Sequence, residues 1–263
     1  VTAVDTLADV DALVRAVFHV SPAFLVAVVV VGFFGFVVSA TFGIGGVVLL
    51  IPMLSLALPP AQAVALSAPV MLINNLGKSL VYRRHVDRRA LFYTSALALP
   101  AAFFAALWTV DVDDRVLLLG VAALILVTLW VERVRETPVR MTPRGLLWWG
   151  LVTGGISGLC GAAGPPTAIG LRGYGLTKDA FVGTVSVFAV FLQLFKMPAY
   201  IATDVLPGRM MPLAALLSAA ALVAVRVGPG LLSRVPAAVF RNVVDGILLV
   251  SAAWLVLDAV RRF

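Results

Sequence analysis

The chain has 263 residues, 62% of them hydrophobic and 13% charged, where soluble domains carry about 25% charged residues. With a mean hydropathy of +1.07, this excludes a water-soluble globular domain and leaves room for about eight to ten membrane elements of roughly 20 residues. The net charge of +7 does not point to nucleic acid. The basic residues sit in short loops between apolar runs, most densely at 83–89 and 133–144, as the positive-inside rule expects of cytoplasmic loops.

Residues 1–20 set Asp5, Asp9 and Asp11 among Leu7, Val10, Leu13, Val14 and Phe18 at helical spacing. Lacking the basic start of a signal peptide, they predict an amphipathic lead-in at the membrane surface. Ten apolar runs follow: 22–42, 46–58, 61–82, 90–110, 116–131, 146–160, 165–176, 181–201, 210–225 and 243–257. They divide the chain into a membrane segment 21–135, a cytoplasmic basic linker 136–145 and a second membrane segment 146–263. The runs 46–58 and 165–176 would reach only about 18–20 Å as helices, against a hydrocarbon core of about 30 Å. Each follows a glycine-rich break with no hydrophilic loop, so its helix starts inside the membrane. Irregular backbone at that depth is tolerated only where protein buries it or a polar cavity meets it.

The two breaks match each other. Ser39-Ala40-Thr41-Phe42-Gly43-Ile44-Gly45-Gly46 aligns with Ser157-Gly158-Leu159-Cys160-Gly161-Ala162-Ala163-Gly164 at a constant spacing of 118 residues. The same spacing pairs Ile51 with Ile169, Val64 with Val182, Tyr82 with Tyr200, Asn75 with Gln193 and Lys78 with Lys196. The chain has three lysines, and two of them fall at matched places inside apolar runs. The expected fold is therefore all-α and polytopic, built from two tandem-duplicated halves with short broken helices. If all ten runs cross, thirteen Lys and Arg lie inside against five outside, and the halves are inverted repeats. If the short runs return to the side they entered from, the count is roughly twelve to six and the halves are parallel.

Enzymatic chemistry has little to work with. A single cysteine, Cys160, permits no internal disulfide and no thiolate metal cluster. His19 and His85 stand apart beside loops, and no nucleophile–base, metal-ligand or phosphate-loop motif occurs. No enzyme activity, metal or cofactor is implied. The breaks offer something else: a helix N-terminus leaves N–H groups unpaired and carries about half a positive charge, which suits an anion. Gly43, Gly45 and Gly46, and Gly161, Ala163 and Gly164 in the second copy, let a ligand approach the backbone closely; Pro165 and Pro166 suit the first helical turn. The competing reading is close helix packing around small residues such as Ser39, Ala40, Ser157 and Gly158.

A lysine at the centre of a spanning helix costs about 2.5–3.5 kcal/mol on insertion scales. Lys78 and Lys196 therefore either snorkel to the interface or face inward, each supplying positive charge near its own break, with Asn75 or Gln193 one turn away. Asp245, the one acidic residue inside the apolar runs, is either a proton-coupling group or a helix cap after Arg241-Asn242.

Gly43-Ile44-Gly45-Gly46 followed by Pro52 resembles the Gly-x-Gly-Gly-x5-Pro segment of the TauE/SafE family of sulfite and organosulfonate transporters. Gly161-Ala162-Ala163-Gly164-Pro165 is similar to that family's second copy, with Ala163 where a glycine is usual, and the basic loops fit as well. The resemblance implies a secondary transporter, most commonly an exporter driven by the proton gradient. Its cargo would be a small sulfur-containing anion such as sulfite, thiosulfate or an organosulfonate, moved across the cytoplasmic membrane. The alternatives are a passive anion channel and a non-transporting membrane scaffold. Partners are then the anion and the lipid bilayer, with homo-oligomerisation left open.

Overall fold

The computed structural model describes residues 3–42, 46–133, 140–176, 178–232 and 237–262. Each of the ten apolar runs forms a helix, and among the described residues there is no strand. The lead-in is α1 (Ala3–Phe18), which meets α2 (Pro22–Phe42) at 62°. The chain continues through α3 (Gly46–Ser55), α4 (Pro60–Tyr82), α5 (Arg88–Trp108) and α6 (Asp114–Arg133). The second half holds α7 (Pro143–Cys160), α8 (Gly164–Gly173), α9 (Lys178–Ala202), α10 (Met211–Leu232) and α11 (Ala237–Arg261). Among the described residues, four helices are by themselves long and apolar enough to cross a membrane, and the bent α1–α2 pair makes a fifth. The helices α6, α7 and α11 have 20, 18 and 25 residues. At ten residues each, α3 and α8 reach only about 15 Å. The protein is an all-helical, polytopic membrane protein.

The helix ends follow from local chemistry. The carboxylate of Asp87 accepts from the Ala90 N–H and starts α5, and the Thr142 hydroxyl accepts from the Gly145 N–H to start α7, with Pro143 in the first turn. Gly161 ends α7 with φ +75°, a left-handed conformation that costs an L side chain energy but glycine none.

Close contacts give the helix directions. Gly150, Gly154 and Gly158 on α7 lie in order on Thr94, Ala98 and Ala102 on α5, so these two helices run the same way. With no Cβ at three successive small positions, their backbones come nearer than side chains would allow. The short α8 turns back along α7: the Met141 N–H donates to the Gly173 carbonyl (2.9 Å) and the Trp149 indole to the Pro166 carbonyl (2.6 Å). In the first half α3 turns back along α2, placing Gly46 and Leu49 against Gly35, and Leu50 against Gly32. The helices α4 and α9 run in opposite directions, since Gly183 near the start of α9 packs on Tyr82 at the end of α4. These registers gather Arg83, Arg84, Arg88, Arg89, Arg140, Arg144 and Arg172 at one end, the clustering that the positive-inside rule expects of one side of a membrane protein.

The closest packings run between the two halves. The helix α5 packs on α7 and α9 as α10 packs on α2 and α4; α3 meets α11 as α8 meets α6; α4 packs on α9 and α6 on α11. Exchanging α2–α6 for α7–α11 leaves this set of pairings unchanged.

Candidate anion site

The second break is built around Lys196, a fully buried side chain on α9. Its Nζ donates to the Gly161 carbonyl (2.7 Å), the Ser157 carbonyl (3.2 Å) and the Ser157 hydroxyl (3.3 Å). An ammonium group has three N–H donors, and all three meet protein oxygens. The carbonyl end of α7, where helix polarity is negative, is thus closed by a cation. Two further donors complete it: the Tyr200 hydroxyl and the Thr109 hydroxyl both donate to the Gly158 carbonyl. Thr109, Tyr200 and Ser157 were not among the expected site residues. Their role rests on helix neighbours 39 to 49 positions away, which spacing along the chain does not reveal.

On the amide side of the same break, Gly161, Ala163, Pro165 and Pro166 are buried and Gly164 is half-buried. Proline has no N–H, so Pro165 and Pro166 leave the first turn of α8 with the Gly164 amide beside that of Ala163 at its cap. Ala163 belongs to an apolar cluster with Ala98, Ala102, Phe188 and Leu192. A Cβ at Gly161 would fall within 3.1 Å of Ile51, Val64 and Ser67, so the second break is seated against α3 and α4 of the first half.

In the first half, Gly46 opens α3 and is buried; Gly43 and Gly45 lie outside the described residues. Lys78 is 4% exposed and has a partner of its own, so it does not reach the surface. Asn75, on the same helix, donates from Nδ2 to the Met71 carbonyl (2.9 Å). Gln193 is 5% exposed, and its Oε1 is buried without a hydrogen-bond partner. Asp245 is buried and partnered. It lies well inside α11, which begins at Ala237, so it is not a cap. Cys160 is a buried free thiol at the end of α7.

Two buried lysines and two short helices that open at glycine-rich breaks thus sit within a bundle of apolar helices. The sequence matches the family model described as sulfite exporter TauE/SafE over residues 28–255, from within α2 to near the end of α11. The chain belongs to that family. TauE/SafE proteins are transporters, so the breaks and buried amines lie in a transport fold. No curated protein and no solved structure matches the chain. The TauE/SafE match covers both breaks, both lysines and Asp245.

Proposed function

We propose that the chain is a secondary transporter exporting a small sulfur-containing anion, such as sulfite, thiosulfate or an organosulfonate, across the cytoplasmic membrane. The observation that carries this reading is the burial of two amines, Lys78 and Lys196, inside an apolar helical bundle. Lys196 spends its three donors on the carbonyl end of α7 and Lys78 has a partner, so the two amines favour a negative guest through the positive charge they add to the bundle, where a lysine at the helix centre costs about 2.5–3.5 kcal/mol to insert. The glycine-rich helix starts at Gly46 and Gly164 would add backbone amides, and Asn75 and Gln193 side-chain amides from α4 and α9.

The two halves are read as inverted repeats. The 118-residue spacing maps the start of α3 onto the start of α8 and that of α4 onto that of α9, and α4 and α9 run in opposite directions. Alternating access about such a pair exposes one central site to each side in turn. Asp245, buried on α11, is the candidate proton carrier.

The test is uptake of labelled sulfite and sulfoacetate into proteoliposomes carrying the purified protein. Transport above empty vesicles, with counterflow and dependence on an imposed proton gradient, is the expected result. Flux without counterflow would make the protein a channel, and no flux of any sulfur anion would defeat the reading.

A further inference from the structure

Buried polar side chains normally find hydrogen-bond partners, so those that do not call for an explanation. Among the described residues the buried side-chain atoms without one are both amide atoms of Asn74, the Gln193 Oε1 and the Ser95 Oγ. They belong to three different helices, α4, α9 and α5, which pack as α4 on α9 and α5 on α9.

All three lie at one depth. The cytoplasmic ends of these helices are tied together, since Tyr82 packs on Gly183 and the Asp87 N–H donates to the Thr184 hydroxyl (3.0 Å). Counting 1.5 Å per residue from those ties puts Asn74 about 12 Å in, Ser95 about 12 Å and Gln193 about 15 Å, near the middle of a core of about 30 Å. On the same scale Lys78 lies at about 6 Å and Lys196 at about 20 Å. The unpartnered amides are therefore bracketed by the two buried amines. Asn74 shares a face of α4 with Lys78, four residues on, and Ser95 shares one of α5 with Leu91, Ala98 and Leu99, which belong to one apolar cluster with Phe188 and Leu192 of α9.

We propose that Asn74, Gln193 and Ser95 form the polar centre of the substrate site, and that this centre selects a monoanion that still carries a hydrogen-bond donor. The inference rests on the transport reading above and deepens it. Asn74 is fully buried and presents one unpaired donor and one unpaired acceptor, whichever way its amide is turned. A bare oxyanion satisfies the donor and leaves the acceptor facing negative oxygen. A protonated oxyanion, or a sulfonate with a hydroxyl or amino group, satisfies both. The matched position in the second half is Leu192, which lies in the same apolar cluster as Ala163. The centre is thus polar on the α4 side in a way the duplication does not reproduce.

The experiment compares 2-hydroxyethanesulfonate with ethanesulfonate, two monoanions differing by one hydroxyl, as competitors of labelled sulfite in proteoliposomes. The hydroxylated compound is expected to compete at a concentration at least tenfold lower, and Asn74→Leu to raise KM at least tenfold and erase the difference. Equal competition, or a wild-type KM in Asn74→Leu, would overturn the inference. Should Asn74→Leu fail to fold, Ser95→Ala serves instead, with a KM increase of at least threefold expected and an unchanged KM counting against it. If the wild type moves no sulfur anion, the transport reading fails, and ligand-induced melting shifts decide the inference separately. A larger shift with 2-hydroxyethanesulfonate than with ethanesulfonate, lost in Asn74→Leu, supports it; equal or absent shifts overturn it.

Discussion

The Lys196 Nζ lies 2.7 Å from the Gly161 carbonyl, 35 residues earlier in the chain, and so ties the middle of α9 to the end of α7. The same amine holds the Ser157 carbonyl and hydroxyl. A helix that ends inside a bilayer has no water for its last carbonyls. Lys196→Met keeps most of the length of the side chain and removes every donor. Leaving those oxygens orphaned costs about 2 kcal/mol, which for a chain of this size is a fall in melting temperature of roughly 4–8 °C. Thermal melts of the purified, substrate-free protein check this. A melting temperature equal to that of the wild type would show that other groups satisfy the end of α7.

The α5–α7 contact makes a sharper contrast between neighbouring glycines. A Cβ at Gly154 would overlap the Ala98 carbonyl, and one at Gly158 would come within 2.6 Å of both the Ala102 carbonyl and the Ala105 Cβ. Both obstacles include backbone, which cannot rotate away. Gly154→Ala is expected to destabilise by about 2–3 kcal/mol through overpacking. Gly155, one residue on, has nothing within 4 Å of its Cβ position, and Gly155→Ala is expected to be neutral or stabilising by up to about 1 kcal/mol, since alanine is the better helix former. Parallel melts of the two variants distinguish the interface from the helix.

Much of this architecture was legible because membrane helices announce themselves by length and composition. Every apolar run became a helix, and the two runs too short to cross became the two ten-residue helices α3 and α8. The breaks were readable for the same reason, glycine and proline being strong punctuation. What the chain concealed was direction of contact. The 118-residue spacing drew attention to Asn75 and Gln193 because they match, and passed over Asn74 because the residue at that spacing is Leu192. Likewise Lys196 stood out as a buried charge, but nothing in its spacing said that its donors would meet the carbonyl end of α7 and not the amide end of α8. Such choices are made by helices distant in sequence, here α5, α7 and α9.

Orientation is open to a labelling experiment. The end holding Arg83, Arg84, Arg88 and Arg89 also receives Arg140, Arg144 and Arg172, so charge places it in the cytoplasm. The native thiol, Cys160, is buried and contributes little background. Arg84→Cys and Asp111→Cys put a thiol on exposed loops at opposite ends of α5. An impermeant maleimide added to intact cells is expected to label Asp111→Cys and spare Arg84→Cys until the membrane is opened. Labelling of both from outside, or the reverse pattern, would invert the proposed topology.

The Gly158 carbonyl receives two donors, the Tyr200 hydroxyl from α9 and the Thr109 hydroxyl (3.2 Å) from the end of α5. Removing one leaves the other in place, so Tyr200→Phe or Thr109→Val alone is expected to cost no more than about 1 kcal/mol, the net worth of one hydrogen bond. Removing both strips the carbonyl of partners in a buried setting, where an unsatisfied acceptor costs about 1–3 kcal/mol. The double variant should therefore lose more stability than the two single variants combined, with a coupling of about 1 kcal/mol. A double-variant cycle on melting or denaturant midpoints measures it directly. Strict additivity would mean that each hydroxyl acts only within its own surroundings, Thr109 through its second bond to the Ala105 carbonyl (3.2 Å), and that the end of α7 is held by Lys196 alone.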